Sequence, residues 1–204
     1  MERSEAIRRI RKLVGQDLRP LADKLKITVW KSPGKINKGW AGHTIERYLG
    51  LPINSSQSPN FGSWELKVVP LIYRKSGNLV VKETMAITMI DPEEVKLKEF
   101  EESHVYAKLR KMVVVARVFD SEQETKSIVH SVGQFDLDDP QALAIIKADY
   151  DLVRSTLYAK GFNELTGEMG KLIQPRTKGS GHGSVSRAFY ARTQFVAHIL
   201  GLSR

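Results

Sequence analysis

Alternation of apolar and charged side chains marks the stretch Trp64-Glu65-Leu66-Lys67-Val68. Successive side chains of a β-strand point to opposite faces, so the pattern predicts a strand with Trp64, Leu66 and Val68 on one face. Glu65 and Lys67 then share the other face, an acid beside a base. Such a pair, taken alone, is usually an exposed ion pair, so only its surroundings can indicate chemistry.

Two upstream positions supply those surroundings. Glu46 lies on a helix predicted over 38–49, capped by Asn37 and off the apolar stripe of that helix. Asn60 ends a polar loop five residues before Glu65. Carboxylates can hold Mg²⁺ against a scissile phosphate, and a lysine can orient or deprotonate the attacking water. The order acid, acid-like position and Glu-x-Lys is that of the PD-(D/E)xK nuclease core.

The rest of the chain predicts an α+β fold, with a mixed β-sheet flanked by helices. The predicted elements are helices over 4–14 and 17–25, a hairpin of 64–71 with 79–90, strands over 112–119 and 127–135, a helix capped by Asp139 that runs to 159, a strand over 172–175, a Gly-rich turn and an apolar helix toward 202. No repeat or long linker interrupts the chain, so we expect one domain over 1–204. Its parts are an N-terminal helical lobe (1–34), a catalytic core (35–120) and a recognition half (121–204).

Basic residues outnumber acidic ones, 32 against 23, for a formal net charge of +9. The excess lies near both ends, with nine bases against four acids in 1–31 and six bases without an acid in 170–204. Clustered Lys and Arg neutralise phosphates and release counterions, so this segregation favours a polyanion partner over a merely solvated basic surface.

Localisation is indicated by what the sequence lacks. No apolar run approaches the roughly 20 residues of a membrane span. The charged N-terminus has no apolar signal core, and the chain has no cysteine. We therefore expect a cytoplasmic protein without a membrane partner.

Four ordered blocks make the nuclease pattern specific, and together they resemble the MutH-like family of PD-(D/E)xK endonucleases. The blocks are Asn37-Lys38-Gly39-Trp40-Ala41-Gly42 through Glu46, Asn60-Phe61 with Glu65-Leu66-Lys67, Ser103-His104-Val105 with Lys108-Leu109, and the tail from Ile173 to Tyr190. This family includes the MutH mismatch-repair endonuclease and related type II restriction endonucleases, and the similarity runs over about 37–195. It implies a Mg²⁺ site formed by Glu46, Asn60 and Glu65. Lys67 would serve the water, with Lys108 and Lys38 stabilising charge nearby.

Asn60 departs from the pattern, because the family has an Asp there. Asn keeps the size and one oxygen of Asp but not its charge, so the site would hold a divalent cation more weakly. We favour a deliberately inactivated protein over a naturally impaired homologue. A third interpretation is that Asn60 only caps a turn, since Pro59-Asn60 is good turn chemistry.

DNA recognition is implied for the tail and for one strand. The resemblance gives Glu83 a cytosine N4 partner and places Tyr190 near the adenine methyl position, although Tyr190 could equally be a core aromatic. Gln174 replaces a family Arg and favours adenine over guanine, so the family target GATC is only one candidate here. Arg176, Lys178 and Arg187 flank the Gly-rich stretch 178–184, which could clamp phosphates.

The resemblance therefore implies a sequence-specific Mg²⁺-dependent DNA endonuclease of the type II restriction kind, which leaves 5′-phosphate and 3′-hydroxyl ends on double-stranded DNA. Two alternatives remain, a mismatch-repair nicking endonuclease activated by a partner and a DNA-binding module that has lost catalysis. We expect a monomer or homodimer, with a cognate DNA methyltransferase in the same system if the role is restriction. The residues do not determine the target sequence, its methylation rule or whether one strand or both are cut.

Overall fold

Seven helices and nine strands are assigned in a computed structural model that describes residues 1–51, 62–121, 123–179 and 186–202. The helices are α1 (Arg3–Arg11), α2 (Leu18–Lys24), α3 (Trp40–Tyr48), α4 (Pro92–Leu97), α5 (His104–Leu109), α6 (Pro140–Ala159) and α7 (Thr193–Ile199). The strands are β1 (Trp30–Ser32), β2 (Lys35–Ile36), β3 (Glu65–Tyr73), β4 (Leu79–Val81), β5 (Met85–Met89), β6 (Lys111–Val118), β7 (Val129–Asp136), β8 (Ile173–Thr177) and β9 (Arg187–Ala191). Among these described residues, no helix combines the length and the apolar character needed to cross a membrane.

The strands form two sheets and a short hairpin. The larger sheet has the order β4-β3-β6-β7, with β3 and β6 parallel and the outer pairs antiparallel. The smaller sheet is antiparallel with the order β5-β9-β8, and β1 pairs with β2. The mixed α+β class expected from the sequence is confirmed, although the strands are divided between separate sheets.

Both faces of the larger sheet are covered. Val69 and Leu71 of β3 belong to one apolar core, which also contains buried residues of α6 and of the smaller sheet. Trp64 and Leu66 belong to the other core, with residues of α1, α2 and α3. The predicted alternation of β3 is therefore confirmed, and it gives Glu65 the same face as Val69 and Leu71.

The predicted hairpin is correct only in its first half. β4 pairs with β3 from Tyr73 to Leu71, and its last bond runs from the N–H of Lys82 to the carbonyl of Pro70 (2.9 Å). Proline has no N–H, so the ladder loses a donor at that point. The chain then leaves the sheet, and β5 pairs with β9 instead of extending β4 as the sequence predicted.

Two further predictions need correction. The helix expected from residue 38 begins at Trp40, and its N-cap is Gly39; Asn37 instead accepts a bond from the N–H of Gly39 (3.3 Å). Strand β9 was not predicted at all, because five residues after a Gly-rich turn give a weak periodic signal. By contrast, the long helix capped by Asp139 is confirmed, since Asp139 accepts a bond from the N–H of Gln141 (2.9 Å).

Candidate active site

A buried carboxylate with two lysines lies at the start of β3. The Glu65 side chain is 1% exposed, and its Oε1 lies 2.7 Å from the Nζ of Lys67 and 3.3 Å from the Nζ of Lys108. Lys67 is on the same strand, whereas Lys108 comes from the last turn of α5. A buried carboxylate is costly unless it is paired and hydrogen-bonded, so two ammonium groups compensate its charge here.

Lys108 reaches this place because α5 leads directly into β6, the parallel neighbour of β3. The register sets Glu65 opposite Met112, so the turn before β6 lies beside the start of β3. The Oγ of Ser103 caps α5 by accepting from the N–H of Tyr106 (3.1 Å). The resemblance placed Lys108 beside the Glu-x-Lys pair, and the structure brings them together.

The environment of Lys108 disfavours its charged form. Burial lowers the pKa of Lys108 below its ordinary value; the carboxylate of Glu65 opposes this shift, while the charges of Lys67 and Lys178 add to it. Lys178 follows β8 directly, so the end of that strand lies within electrostatic reach of the cluster. Two lysines thus contact one carboxylate, and the charge of a third acts on Lys108, an arrangement suited to an anionic substrate.

Glu46 lies on α3, and Lys38 lies just before that helix. Glu46 is half-buried on α3, which packs against β3, and it lies off the stripe that α3 buries. Lys38 is exposed and lines a cavity of about 220 Å³ together with Lys82 and Glu83. Lys38 thus lies on the same cavity wall as Glu83, to which the resemblance gives a role in base recognition.

The side chains proposed to hold the metal carry the type of donor atom that a hard cation prefers. Glu46, Glu65 and the amide oxygen of Asn60 are oxygen donors, the type that Mg²⁺ prefers. Asn60 lies outside the described residues. Within the described part of the chain, no group of three His, Cys, Asp or Glu is close enough to hold a metal.

A second polar cluster lies on the smaller sheet. Tyr190 of β9 is opposite Ala86 of β5 and Gln174 of β8. Burial raises the pKa of Tyr190, the charge of Arg176 opposes the shift, and that of Glu83 adds to it. Tyr190 is thus half-buried within electrostatic reach of both charged side chains.

The other predicted recognition residues separate into two groups. Arg176 stays with the cluster, because its Nη1 donates to the Oγ1 of Thr84 (3.1 Å). Arg187 is engaged elsewhere, since its guanidinium donates to the carbonyls of Leu165 and Asn163 (both 3.0 Å) and lies over the ring of Phe162. A phosphate contact by Arg187 would have to compete with these bonds.

The Gly-rich stretch 178–184, predicted to bind phosphates, lies only partly within the described residues. Residues 180–185 lie outside the described part of the chain, and the N–H of Lys178 donates to the carbonyl of Ser186 (2.8 Å) across their ends. Lys82 was missed by the sequence analysis: its Nζ lies 4.1 Å from the ring centroid of Phe119, on the cavity wall with Glu83. The pair is 37 residues apart in the sequence, so no local pattern could have indicated it.

Curated relatives match nearly the whole chain, and each is named DNA mismatch repair protein MutH. The protein of Vibrio cholerae is 28% identical over 214 residues, which cover 96% of this chain and 94% of the relative. That of Vibrio campbellii is 27% identical, covering 97% and 92%. That of Shewanella sp. is 26% identical, covering 97% and 93%. A solved structure, described as restriction endonuclease MvaI-cognate DNA substrate complex, aligns with a TM-score of 0.39 and 12% identity over 89% of this chain and 95% of its own.

A mixed sheet flanked by helices, with Glu65 and Lys67 at the start of a central strand, is consistent with a restriction-endonuclease-like fold. The family model for MutH, described as DNA mismatch repair enzyme MutH, matches residues 49–149, which include this cluster. The chain is thus similar to the MutH-like family of DNA endonucleases, over 49–149 by the family model and over nearly its whole length by the relatives named MutH.

Proposed function

We propose that this protein is a sequence-specific, Mg²⁺-dependent DNA endonuclease that hydrolyses phosphodiester bonds in double-stranded DNA. The observation that carries the proposal is the Glu65–Lys67–Lys108 cluster, a buried carboxylate contacted by two ammonium groups in a chain similar to the MutH-like family. A restriction role is our first candidate, because the tail resembles the recognition end of the related restriction enzymes.

The residues of the cluster divide the chemistry among them. Attack of a water oxygen on phosphorus, with cleavage of the bond to the 3′ oxygen, produces a 5′-phosphate and a 3′-hydroxyl, and the water proton must be accepted. Lys67 is 20% exposed, so it can reach a water at the scissile phosphate and either orient it or take its proton. Lys108, which is 9% exposed, remains against Glu65 and offsets the negative charge that develops on the phosphate.

Mg²⁺ would be held by Glu65, Glu46 and the side chain at position 60, and it would supply positive charge against the phosphate. Asn60 removes one negative charge from that set, which weakens the hold on a divalent cation. The chain as given is therefore a catalytically impaired form, and we expect it to bind DNA more readily than it cuts it. Isothermal titration with Mg²⁺ should show tighter binding for Asn60→Asp than for the parent.

Restoring the carboxylate tests the proposed function directly. Asn60→Asp should raise Mg²⁺-dependent cleavage of plasmid DNA by roughly 10²-fold or more, the scale on which metal-site carboxylates act. The matched control is Asn78→Asp, which makes the same change in the exposed turn between β3 and β4 and should leave cleavage as it is. Asn60→Asp protein that does not cut a mixed DNA library, while folding normally, would contradict the proposal.

A mismatch-repair nicking endonuclease is the second candidate, favoured by relatives of that name that match 96% of the chain. Supercoiled plasmid separates the two, since a restriction enzyme converts it to linear DNA at fixed sites. A repair enzyme leaves nicked circles and is stimulated by a partner. Sequencing the ends made by Asn60→Asp would give the target, and repeating the digest on methylated plasmid would give its methylation rule. Binding without cleavage in any condition would favour the module that has lost catalysis.

A further inference from the structure

The segment 167–173, directly before Gln174, is held by side chains. It has no helical or extended ladder of its own before β8 begins at Ile173. Its residues run from exposed at Gly167 and Glu168 to buried at Ile173, and backbone groups that leave water require partners. The partners come from two residues that the proposed chemistry does not use, Asp149 and Arg192.

Asp149 takes up the N–H groups of this segment. Its carboxylate accepts from the N–H of Lys171 (2.7 Å), Leu172 (2.7 Å) and Ile173 (2.9 Å). Asp149 is only 4% exposed, in the middle of a helix whose neighbouring residue Tyr150 is fully buried. An acid in such a place is costly unless hydrogen-bonded, and these three bonds satisfy it.

Arg192 takes up the carbonyl groups. Its guanidinium donates to the carbonyls of residues 167, 168, 169 and 170, at 3.0 to 3.1 Å. Its backbone N–H donates to the carbonyl of Leu172 (2.9 Å), and Gln194 donates to that of Lys171 (3.2 Å). Arg192 directly follows β9, so the same residue joins the end of β9 to the approach to β8.

Gly170 permits the close approach. Its φ is +77°, a conformation that L side chains rarely adopt. A Cβ on Gly170 would lie 2.0 Å from the carbonyl oxygen of Ile173 and 3.0 Å from the Cγ of Asp149. The backbone at 170 is therefore packed closely against Asp149, in a position that a side chain could not occupy.

We propose that Asp149 and Arg192 are positioning residues for base recognition: they clamp 167–173 and thereby set the register of β8 against β9. This inference rests on the proposed function and on the prediction from the resemblance that Gln174 and Tyr190 face base edges. Gln174 is one residue after the last bond of the clamp and lies opposite Tyr190. A slip of one residue would turn Gln174 to the other face of the sheet and bring Ile173 or Pro175 in its place.

The clamp acts on discrimination and leaves nonspecific affinity alone. Asp149 is buried, and its carboxylate is used up by backbone N–H groups, so its loss should hardly change the field at the DNA surface. The cations proposed to contact phosphate, Arg176 and Lys178, remain in either case. The Glu65 cluster lies on the other sheet and keeps its contacts.

The test is binding-site selection from a randomised duplex library with the chain as given, followed by titration of the selected duplex and its single-base variants. Asp149→Asn should reduce the discrimination between these duplexes about tenfold, the scale of one lost bidentate base contact, with an unchanged salt slope. Tyr150→Phe is the matched control. Tyr150 is next to Asp149 on α6, and the substitution removes the bond from its hydroxyl to the carbonyl of Lys98 (3.0 Å) without altering any bond of the clamp.

Arg192→Lys is the second variant, because it keeps the positive charge but loses the guanidinium group that donates to four carbonyls. It replaces Asp149→Asn in the test if that variant does not fold. Hydrogen exchange at Lys171, Leu172 and Ile173 reports whether the clamp has opened. Faster exchange with unchanged discrimination would overturn this inference but leave the proposed function intact. A parent that binds all duplexes equally would overturn the sequence-specific function and the clamp's role together. Loss of discrimination in both clamp variants but not in Tyr150→Phe would support it.

Discussion

The two polar clusters of this molecule are built from different elements. At the start of β3, Glu65 and Lys67 are two residues apart on one strand, and a single helix adds Lys108. In the other cluster, Arg176 and Tyr190 lie on the paired strands β8 and β9, and Glu83 lies in the connection before β5. The first cluster therefore depends on one strand and on the helix before its parallel neighbour, whereas the second depends on the pairing of β8 with β9 and on the clamp on 167–173.

Because of this difference, we expect substitutions in the two clusters to affect different properties of the protein. Chemistry requires a few atoms at fixed distances, and a strand supplies these locally. Recognition requires a surface that can be altered residue by residue while the sheet beneath it is kept. Substitutions in the first cluster should therefore affect turnover alone, whereas those in the second should affect the choice of DNA sequence.

Lys67→Ala should have the largest effect. In the Asn60→Asp background we expect cleavage to fall by about 10³-fold, within the usual range for a group that transfers or orders a proton, while binding and site preference are unchanged. Single-turnover cleavage and filter binding measure the two separately. Lys75→Ala, at the exposed turn after β3, is the control. If the Lys67→Ala enzyme still cut at the parental rate, Glu65 and Lys67 would be a structural ion pair.

Glu83→Ala and Gln174→Ala should affect the choice of sequence. Each should reduce preference for the selected site by about 1 to 3 kcal/mol, or about 5- to 150-fold, with nonspecific binding nearly intact. Competition binding against single-base variants measures this loss. Glu93→Ala removes an exposed acid of α4 and should change neither quantity. A uniform loss of affinity for all duplexes would mean that these side chains do not read bases.

Lys178→Ala should weaken binding to every sequence alike. If Lys178 contacts one phosphate, the slope of log affinity against log salt should decrease by about one unit. Titrations between about 50 and 200 mM salt measure it. Lys160→Ala, an exposed cation at the end of α6, is the matched charge control. An unchanged slope would indicate that Lys178 acts on the Glu65 cluster instead of on DNA.

The smallest effect concerns the titration of Tyr190. Arg176 opposes the rise in the pKa of Tyr190 and Glu83 adds to it, so Arg176→Ala should raise that pKa further and Glu83→Gln should lower it. Ring chemical shifts followed against pH measure both. Because the folded pKa is raised, Tyr190 stabilises the fold below its unfolded value of 10.0 and loses this contribution as pH rises through the folded pKa. An unchanged pKa of Tyr190 in both variants would mean that the three side chains are not electrostatically coupled.

The sequence predicted the parts of this molecule that leave a local signal. The alternation of β3 and the Asp139-capped helix α6 were correct, because period and capping are read from neighbouring residues. The departure of β5 to another sheet was missed, since it depends on the loss of a donor at Pro70 in the partner strand. Asp149 and Arg192 were missed because side chain to backbone bonds have no periodicity, and an acid within a helix resembles a solvated charge.

The proximity of Lys108 to Glu65 shows a different limit. The two residues are 43 positions apart, and no spacing rule joins them; only the resemblance to a family indicated the contact. The roles of Glu46 and Asn60 remain predictions of the same kind. The role of Lys38, which lines a cavity with Lys82 and Glu83, is also a prediction from the resemblance.

The parallel pairing of β3 with β6 has a consequence for how the chain assembles. Parallel neighbours cannot be joined by a tight turn, and here everything between Tyr73 and Lys111 intervenes, including β5 of the other sheet. The central strands can pair only after this long connection closes. Closure lowers the conformational entropy of the chain before the stabilising contacts between the strands have formed. We therefore expect slow folding in which hairpin β6–β7 forms early and β3 docks late, so that Glu65 and Lys67 are among the last residues to become ordered.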